Sequence, residues 1–452
     1  MYLSNFDRFF SPLQWQIILT IARIADDMGL RAFAVGGIVR DAINGDGIKG
    51  KRSPFFPKDL DLVFDGGERA GIKVAIALHE LFPESKLQIH NKFQTAELLW
   101  QDFAIDMATA RHETYAYAGA NPQVMATHLE EDLGRRDFTI NALAVQLDPK
   151  LGTKGEIIDR FNGLQDLANK QVRTIRPDSF AEDPRRLFRA VRFAVRLDLA
   201  IAPETHTEIM TTTASGLHDA IGGARLRSEL LYTLAEPRAG KMFELLQELG
   251  ILRCIHPDLR LADDFGRQWR RSQYWLKLLH RLDPKGAELI PSPMQLGLEL
   301  LLSYLPFEIS SQIDLGLTPE QKTRQAKLAD LLLNLLVDLQ DLGSGLANSS
   351  FKTSHKISEI TQSLQKFDTQ TLILAGAKCE LTQRRILWRY LTQWQRVKSP
   401  LTGADLQQLG YAAGKQMGEI LQRLRWAALD GEIKTKDEAI AMLQKTSTVT
   451  IK

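Results

Sequence analysis

Two periodicities divide the chain. Up to about residue 150, short runs alternate apolar and polar side chains: RAFAVGG (31–37), DLDLVF (59–64), LQIHNKFQTAELLW (87–100) and FAIDMATA (103–110). A period of two is the pattern of half-buried strands. Between them AGIKVAIALHELF (70–82) follows a helical period, and the mixture predicts an α/β unit. From about residue 180 leucine-rich helical segments take over, at 227–252, 293–305 and 324–339, separated by Pro, Gly and Ser. They predict an all-α remainder. LGSGLANSSFKTSHK (342–356) reads as a linker and KTSTVTIK (445–452) as a frayed tail.

Composition narrows this only a little. The 452 residues suffice for about two to four domains, and 44% hydrophobic with 25% charged residues is ordinary for a globular chain. A net charge of +2 argues nothing, so binding of nucleic acid has to come from local patches. Cys254 and Cys379 are the only cysteines, which excludes a disulfide framework and a cysteine zinc site and favours a reducing, cytoplasmic setting. The first 29 residues mix Asp7, Arg8, Gln14 and Gln16 with apolar positions, the pattern of an amphipathic helix and not of a signal peptide. No apolar run is long enough to span a membrane.

The candidate chemistry begins at DLDLVF. Residues two apart on a strand share a face, so Asp59 and Asp61 point one way and Leu60 and Leu62 the other. Like charges that close resist ionising together unless a cation joins them. Mg²⁺, held by one or two carboxylates plus substrate phosphates, is the natural one. Asp-x-Asp alone is common, and two solvated acids at a strand end are its ordinary explanation. The context strengthens the other reading. Upstream, VGGIVRD precedes AIN, which looks like a helix start; Gly36 and Gly37 let the backbone approach a phosphate, and Arg40 can fork onto its oxygens. Asp106 reads equally as a third carboxylate or a solvated strand residue, and Arg111 as a phosphate contact or the partner of a surface acid.

SFAEDPRRLFRAVRFAVRLDL (179–199) predicts a helix with Asp183 as N-cap and Pro184 in first position. At 100° per residue Arg185, Arg189, Arg192 and Arg196 form one stripe with Arg186 at its edge, and Leu187, Val191, Ala194 and Val195 lie opposite. Five arginines without a lysine suit forked recognition better than a merely solvated face. Further on, RQWRRSQYWLKLLHR (267–281) contains no acid and interleaves Trp269, Tyr274 and Trp275 with Arg270, Arg271 and Lys277; QRRILWRYLTQWQRVK (383–398) repeats that composition. Such stretches bind phosphates and stack on bases, or else bury the rings in a core under an arginine cover.

VGGIVRDAING followed by KDLDLVF, then EEDLGRRDFTINALAV (130–145), then FAEDPRRLFRAVRFAVRL (180–197), in that order, resembles the class II tRNA nucleotidyltransferase and poly(A) polymerase family over roughly residues 30 to 260. The resemblance implies a polymerase beta-like nucleotidyltransferase head (1–150), a helical neck carrying a nucleotide-selecting helix (151–260) and a helical, tRNA-binding body and tail (261–452). It implies two-Mg²⁺ nucleotidyl transfer from CTP or ATP to the tRNA 3′ end, with Asp59 and Asp61 as catalytic metal ligands. Gly36, Gly37, Arg40, Arg135, Arg136, Asp137 and Asn141 are then expected around the nucleotide, Asp137 and Asn141 holding the ribose or bracing head against neck. Asp183 and Arg186 are expected to read the base, with Arg189 and Arg192 on nucleotide or phosphate. An acceptor-only carboxylate beside a donor-only guanidinium matches the pairing edges of cytosine and adenine and mismatches guanine and uracil. IDRFNGLQDL (158–167) resembles the family's hinge, and Arg225 and Glu229 in GGARLRSEL its neck brace. The basic insert GDGIKGKRSPFFP (45–57) departs from the family by its length. The resemblance leaves addition of CCA, CC or A open, and with it two alternatives: a bacterial poly(A) polymerase and a non-catalytic RNA-binding relative. No obligate protein partner is evident.

Overall fold

The computed structural model describes residues 2–3, 6–44, 56–114, 123–150, 155–216, 221, 223–282, 292–335 and 356–447. It divides into two compact units, one of 1–229 with 236–257 and one of 230–235 with 258–452. The 342–356 linker falls outside the described residues except for Lys356, as do 45–55 of the insert and the last five residues.

The first unit is built on an eight-stranded sheet in the order β1-β10-β9-β2-β3-β6-β5-β4. Its strands are β1 (Tyr2–Leu3), β2 (Arg31–Val35), β3 (Asp59–Asp65), β4 (Lys86–His90), β5 (Thr95–Trp100), β6 (Phe103–Thr109), β9 (Leu143–Leu147) and β10 (Gly155–Asp159); β7 (Arg111–Thr114) and β8 (Gln123–Ala126) form a separate hairpin. Neighbours run antiparallel except at the β3–β6 seam, which is parallel. The helix α1 (Pro12–Asp27) starts at a Ser11–Gln14 capping box. It packs on the sheet with α3 (Ala70–Leu81), and α2 (Gly37–Ile43) lies between them in the chain. The expected alternation in β3 holds: Leu60, Leu62 and Phe64 are buried, and burying side chains of that size stabilises the strand by about 1.5–3 kcal/mol each. On the opposite face Val63 joins a core of Phe33, Val35, Leu129 and Leu133, while Asp59 and Asp61, nearer the strand's start, stay outside it.

Two details differ from the expected division at residue 150. β10 extends the head sheet past that point, pairing Ile157 with Val145, and Gln171–Val172 pairs in parallel with Ala200–Ile201 inside the supposedly all-α stretch. Otherwise the chain beyond is helical. α4 (Leu129–Gly134), α5 (Gly163–Ala168), α6 (Ser179–Glu182) and α7 (Arg186–Leu197) complete the elements around the cleft described below. The hinge-like segment is tied locally: the Asp159 carboxylate accepts from the backbone N–H groups of Phe161, Gly163 and Leu164. A Cβ on Gly163 would come within 2.3 Å of the Thr139 carbonyl, so the helix start has to be glycine.

Among its described residues the second unit has helices and no strand. Gly297 and Gly376 leave room for indole rings; a Cβ there would lie 2.5 Å from Trp269 and 2.3 Å from Trp275 respectively. A smaller core of Leu401, Leu406, Leu424, Ile433 and Leu443 closes the C-terminal end. No helix among the described residues is long and apolar enough to cross a membrane.

Candidate active site

A cleft of about 800 Å³ opens in the first unit at the start of β3. The β2–α2 turn forms one wall. Gly36 holds φ 76° and ψ −137°, and a Cβ there would sit 3.5 Å from Arg136 Nη1 and 3.6 Å from Asp61 Oδ2. The helix begins at Gly37, five residues before the AIN stretch expected to start it, because the glycine turn itself reverses the chain; AIN is the helix end. Arg40 consequently lies within α2 and is almost fully buried. Its guanidinium donates to Asn141 Oδ1 at 2.7 Å and pairs with Asp41 at 2.8 Å.

Asp59, Asp61 and Asp106 form the floor. Asp106 stands directly beside Asp61 across the parallel seam, and Glu97 of β5 stands on its other side. Burial raises the Asp106 carboxyl to about 6, helped by the charges of Asp61, Glu97 and Asp59. Burial likewise raises Asp61, with Arg136 pulling the other way. Asp65, two residues beyond Val63, is a structural acid: it is buried against Arg31, His128 and the Leu129 N–H.

The rest of the lining is a set of matched charges. Among the described residues eight arginines and seven carboxylates face the cleft, with no lysine and no histidine. Asp41 pairs with Arg40, Glu113 with Arg111 and Arg135, Asp137 with Arg189, and Asp183 with Arg185. Behind them the fully buried Asp132 holds Arg135 at 2.7 Å and Arg136 at 3.2 Å, and these two guanidiniums outweigh burial to lower its pKa. Arg136 keeps a buried Nε with no hydrogen-bond partner. Asp59, Asp61 and Asp106 alone among the seven have no guanidinium partner among the described residues. No group of three or more His, Cys, Asp or Glu side chains among the described residues is gathered to hold a metal ion unaided. Asp59, Asp61 and Asp106 are the carboxylates on the floor that could hold a cation.

Residues 32–173 match the poly A polymerase head domain, and residues 198–262 match a probable RNA and SrmB-binding site of polymerase A. The chain is 31% identical to the A-adding tRNA nucleotidyltransferase of Geobacter sulfurreducens, over 92% of its own length and 45% of that protein's. It is 26% identical to the A-adding enzyme of Halalkalibacterium halodurans over 94% and 91% of the two chains, and 37% identical to the CC-adding enzyme of Deinococcus radiodurans over 48% and 53%. The chain belongs to the tRNA nucleotidyltransferase and poly(A) polymerase family. It spans about half the length of the first curated relatives it matches, 45% and 44%. Its fold is that of the CCA-adding enzymes: an apo structure superposes with a TM-score of 0.78 at 23% identity over 99% of both chains, and the Thermotoga maritima enzyme complexed with tRNA with 0.78 at 22% over 99% of both.

Against that family frame, the structure redraws several expected residue roles. The helix expected to begin at Asp183 begins at Arg186. Pro184 and Arg185 form a tighter turn in which the Asp183 carbonyl accepts from the Arg186 N–H. Asp183 is not paired with Arg186 here. Its carboxylate takes the Arg185 backbone N–H at 3.1 Å and both arms of that guanidinium at 2.8 and 2.9 Å. Arg186 is buried one residue further round, donating to Ser179 Oγ at 2.6 Å and to the Arg135 carbonyl at 2.8 Å. Arg192 does not line the cleft; it pairs with Glu229, the residue expected to brace the neck. Asp137 and Asn141 act as a brace within the first unit: Asn141 Nδ2 donates to Asp137 Oδ1 at 3.1 Å, and Arg189 pairs with Asp137 Oδ2 at 2.6 Å. Arg111 meets Glu113 within the cleft and donates to the Phe93 carbonyl. Sequence reasoning missed Glu113, Asp132 and Phe193, the last of which lies within the arginine-rich helix itself.

In the second unit, Trp269 and Trp275 are core side chains and Trp275 packs on Trp388 with centroids 5.0 Å apart, so they are not available to bases. The helix Phe265–Leu282 instead exposes Arg267, Arg270, Tyr274, Lys277 and Arg281. At 100° per residue these five fall within roughly 80° of arc. None of the four cations forms an ion pair with another described residue. Over 14 residues the stripe extends about 21 Å.

Proposed function

We propose that the chain is a template-independent tRNA nucleotidyltransferase that adds C, A or both from CTP and ATP to the tRNA 3′ end. The observation that carries this reading is the trio Asp59, Asp61 and Asp106, which among the described residues has no arginine partner in a cleft where every other acid has one. Asp59 and Asp61, with Asp106 beside them, would hold Mg²⁺, which supplies charge neutralisation and a more acidic hydroxyl for in-line displacement. The chain's own groups do the rest. Arg136, with its unpartnered Nε, and the Arg111–Arg135 pair face the phosphates, and the Gly36 turn leaves the space a Cβ would take. The terminal hydroxyl of the RNA attacks the α-phosphorus and pyrophosphate leaves, its charge met by arginines already fixed in place. Asp183 accepts from the base amino group and Arg186 donates to the ring nitrogen, the base displacing Arg185 from Asp183.

The three parts of the chain divide this work: residues 1–150 carry the chemistry, 151–260 the selection of the nucleotide, and 261–452 the grip on RNA. The exposed cationic stripe of Phe265–Leu282, with Tyr274 at its centre, follows one phosphate rail of the tRNA. The setting is the cytoplasm, where both cysteines remain as thiols. Relatives matched along 88–94% of this chain are A-adding, whereas the CC-adding relative matches along 48%; this favours addition of the terminal A.

The test uses tRNA transcripts ending before CCA, after the first C and after CC, each incubated with CTP, ATP or both and read on a sequencing gel. Extension of the last transcript by one A supports the A-adding reading. Extension of the first two that stops at CC assigns CC addition, and unlimited A growth assigns a poly(A) polymerase. No extension of any transcript overturns the proposal.

A further inference from the structure

Four polar side chains in the cleft form an unbroken relay. Arg40 donates to Asn141 Oδ1 at 2.7 Å, Asn141 donates to Asp137 Oδ1 at 3.1 Å, and Arg189 donates to Asp137 Oδ2 at 2.7 Å. The relay starts in α2, behind the glycine turn, and ends in α7, the helix that follows Asp183. Its two ends are guanidiniums, and one ring touches both. Phe193 has its centroid 5.3 Å from the Arg40 guanidinium carbon and 5.5 Å from that of Arg189, both within the range of cation–π attraction. The ring is itself held edge-on by Phe138 at 5.8 Å. Phe193 lines the cleft and is only partly buried, so its position is not explained by core packing alone.

We propose that Phe193 is a positioning residue for nucleotide binding. Its ring fixes the spacing of Arg40 and Arg189 and ties the base-selecting helix to the phosphate-binding turn. The inference rests on the nucleotide-cleft reading above. It follows from the chemistry of the contacts. Two like charges share one relay; Arg40 is held from two sides, by Asn141 and Asp41, whereas the bonds of Arg189 go to Asp137 Oδ2 through one edge of its guanidinium, about which it can swing. An aromatic face in contact with both removes that freedom and partly offsets their repulsion, because the ring's quadrupole is negative on its face. A leucine of similar bulk keeps the packing and loses the attraction; a tyrosine keeps the ring.

The experiment compares Phe193→Leu and Phe193→Tyr with the unaltered full-length chain. Binding of ATP and CTP with Mg²⁺ is measured by calorimetry without RNA, thermal melting is recorded beside it, and KM and kcat are measured for extension. F193L is expected to weaken triphosphate binding about threefold to tenfold, the size of one cation–π contact, and to raise KM more than it lowers kcat. RNA binding and melting temperature stay close to those of the parent, and F193Y restores the affinity. If F193L melts below the assay temperature, F193M takes its place, filling the volume with a flexible apolar chain. Triphosphate affinity equal in the parent, F193L or F193M, and F193Y overturns the assignment and leaves the nucleotide cleft standing. No triphosphate affinity in the parent itself overturns the cleft reading, and this assignment with it.

Discussion

Replacing Gly36 by alanine separates two roles of the glycine turn. A Cβ at this position meets nothing closer than Arg136 Nη1 at 3.5 Å and Asp61 Oδ2 at 3.6 Å, which is ordinary contact, so no clash opposes the change. The cost comes from the backbone, since φ 76° with ψ −137° is a conformation that residues with a side chain rarely adopt. Strain of that kind costs about 1–3 kcal/mol, which for a unit of this size lowers the melting temperature by about 3–10 °C. The new methyl group would also project into the gap between Asp61 and Arg136, where the cleft is read to receive phosphate. A loss of about tenfold in triphosphate affinity, equivalent to ~1.4 kcal/mol, is expected on top of the stability loss. Gly37→Ala is the control: its φ lies outside the left-handed region and its Cβ would meet only Arg40 Nη2 at 3.4 Å, an ordinary van der Waals contact. The assay pairs differential scanning fluorimetry with triphosphate calorimetry on G36A, G37A and the parent. Equal melting temperatures for the two variants would refute the strain argument, and unchanged affinity in G36A would refute the placement of phosphate beside Gly36.

Other expectations follow from the same geometry. Asp59→Ala and Asp61→Ala are expected to abolish nucleotide incorporation, read on sequencing gels, while filter binding of tRNA stays near the parent value; retained activity in either would end the metal-ligand reading. Neutralising Arg267, Arg270, Lys277 or Arg281 one at a time to Gln should flatten the slope of log binding constant against log salt concentration by about 0.7–0.9 per residue that meets a phosphate. An unchanged slope for all four would remove the RNA from that helix face. Asp132 has a pKa lowered by Arg135 and Arg136, so the stability it contributes is present above its unfolded value, about 3.9, and disappears as pH falls through the still lower folded value. Melting profiles from pH 7 downward should therefore differ most near neutrality for the parent and D132N and draw together only as pH falls below about 3.9. Arg192→Gln should lower the melting temperature by breaking the recessed pair with Glu229 and leave triphosphate KM unchanged, since Arg192 does not face the cleft.

How much of this was legible in the sequence depends on how far apart the interacting residues are. The strand DLDLVF and the shared face of Asp59 and Asp61 follow from alternation alone, because a strand's geometry is set within two residues. The place of Asp106 could not be read that way. Its contact with Asp61 is made by a parallel seam between segments some 45 residues apart, and periodicity carries no information about register between distant strands. Asp183 and Arg186 do not bond to each other side chain to side chain, for a local reason. The spacing is right for neighbours on a helix, but Pro184 and Arg185 turn more tightly than a helix, and the nearer guanidinium reaches Asp183 first. The tryptophans of Phe265–Leu282 show information present and unused. Composition grouped Trp269, Tyr274 and Trp275 together, yet the helical angle places Tyr274 with the cations and both tryptophans on the far side, where they are buried. Phe193 was invisible for a third reason: an aromatic at helical spacing reads as core until the guanidiniums on either side of it are seen.

The pairing of Asp41, Glu113, Asp137 and Asp183 with arginines has a consequence for how the cleft attracts its ligand. Among the described residues its eight positive and seven negative side chains nearly cancel, so together they present little net charge to a polyanion at a distance, and capture by them is a short-range event. The exposed cations of Phe265–Leu282, which have no ion-pair partner among the described residues, are placed to supply the longer-range attraction. Recruitment and chemistry would then answer differently to ionic strength, the first fading in salt while the second holds.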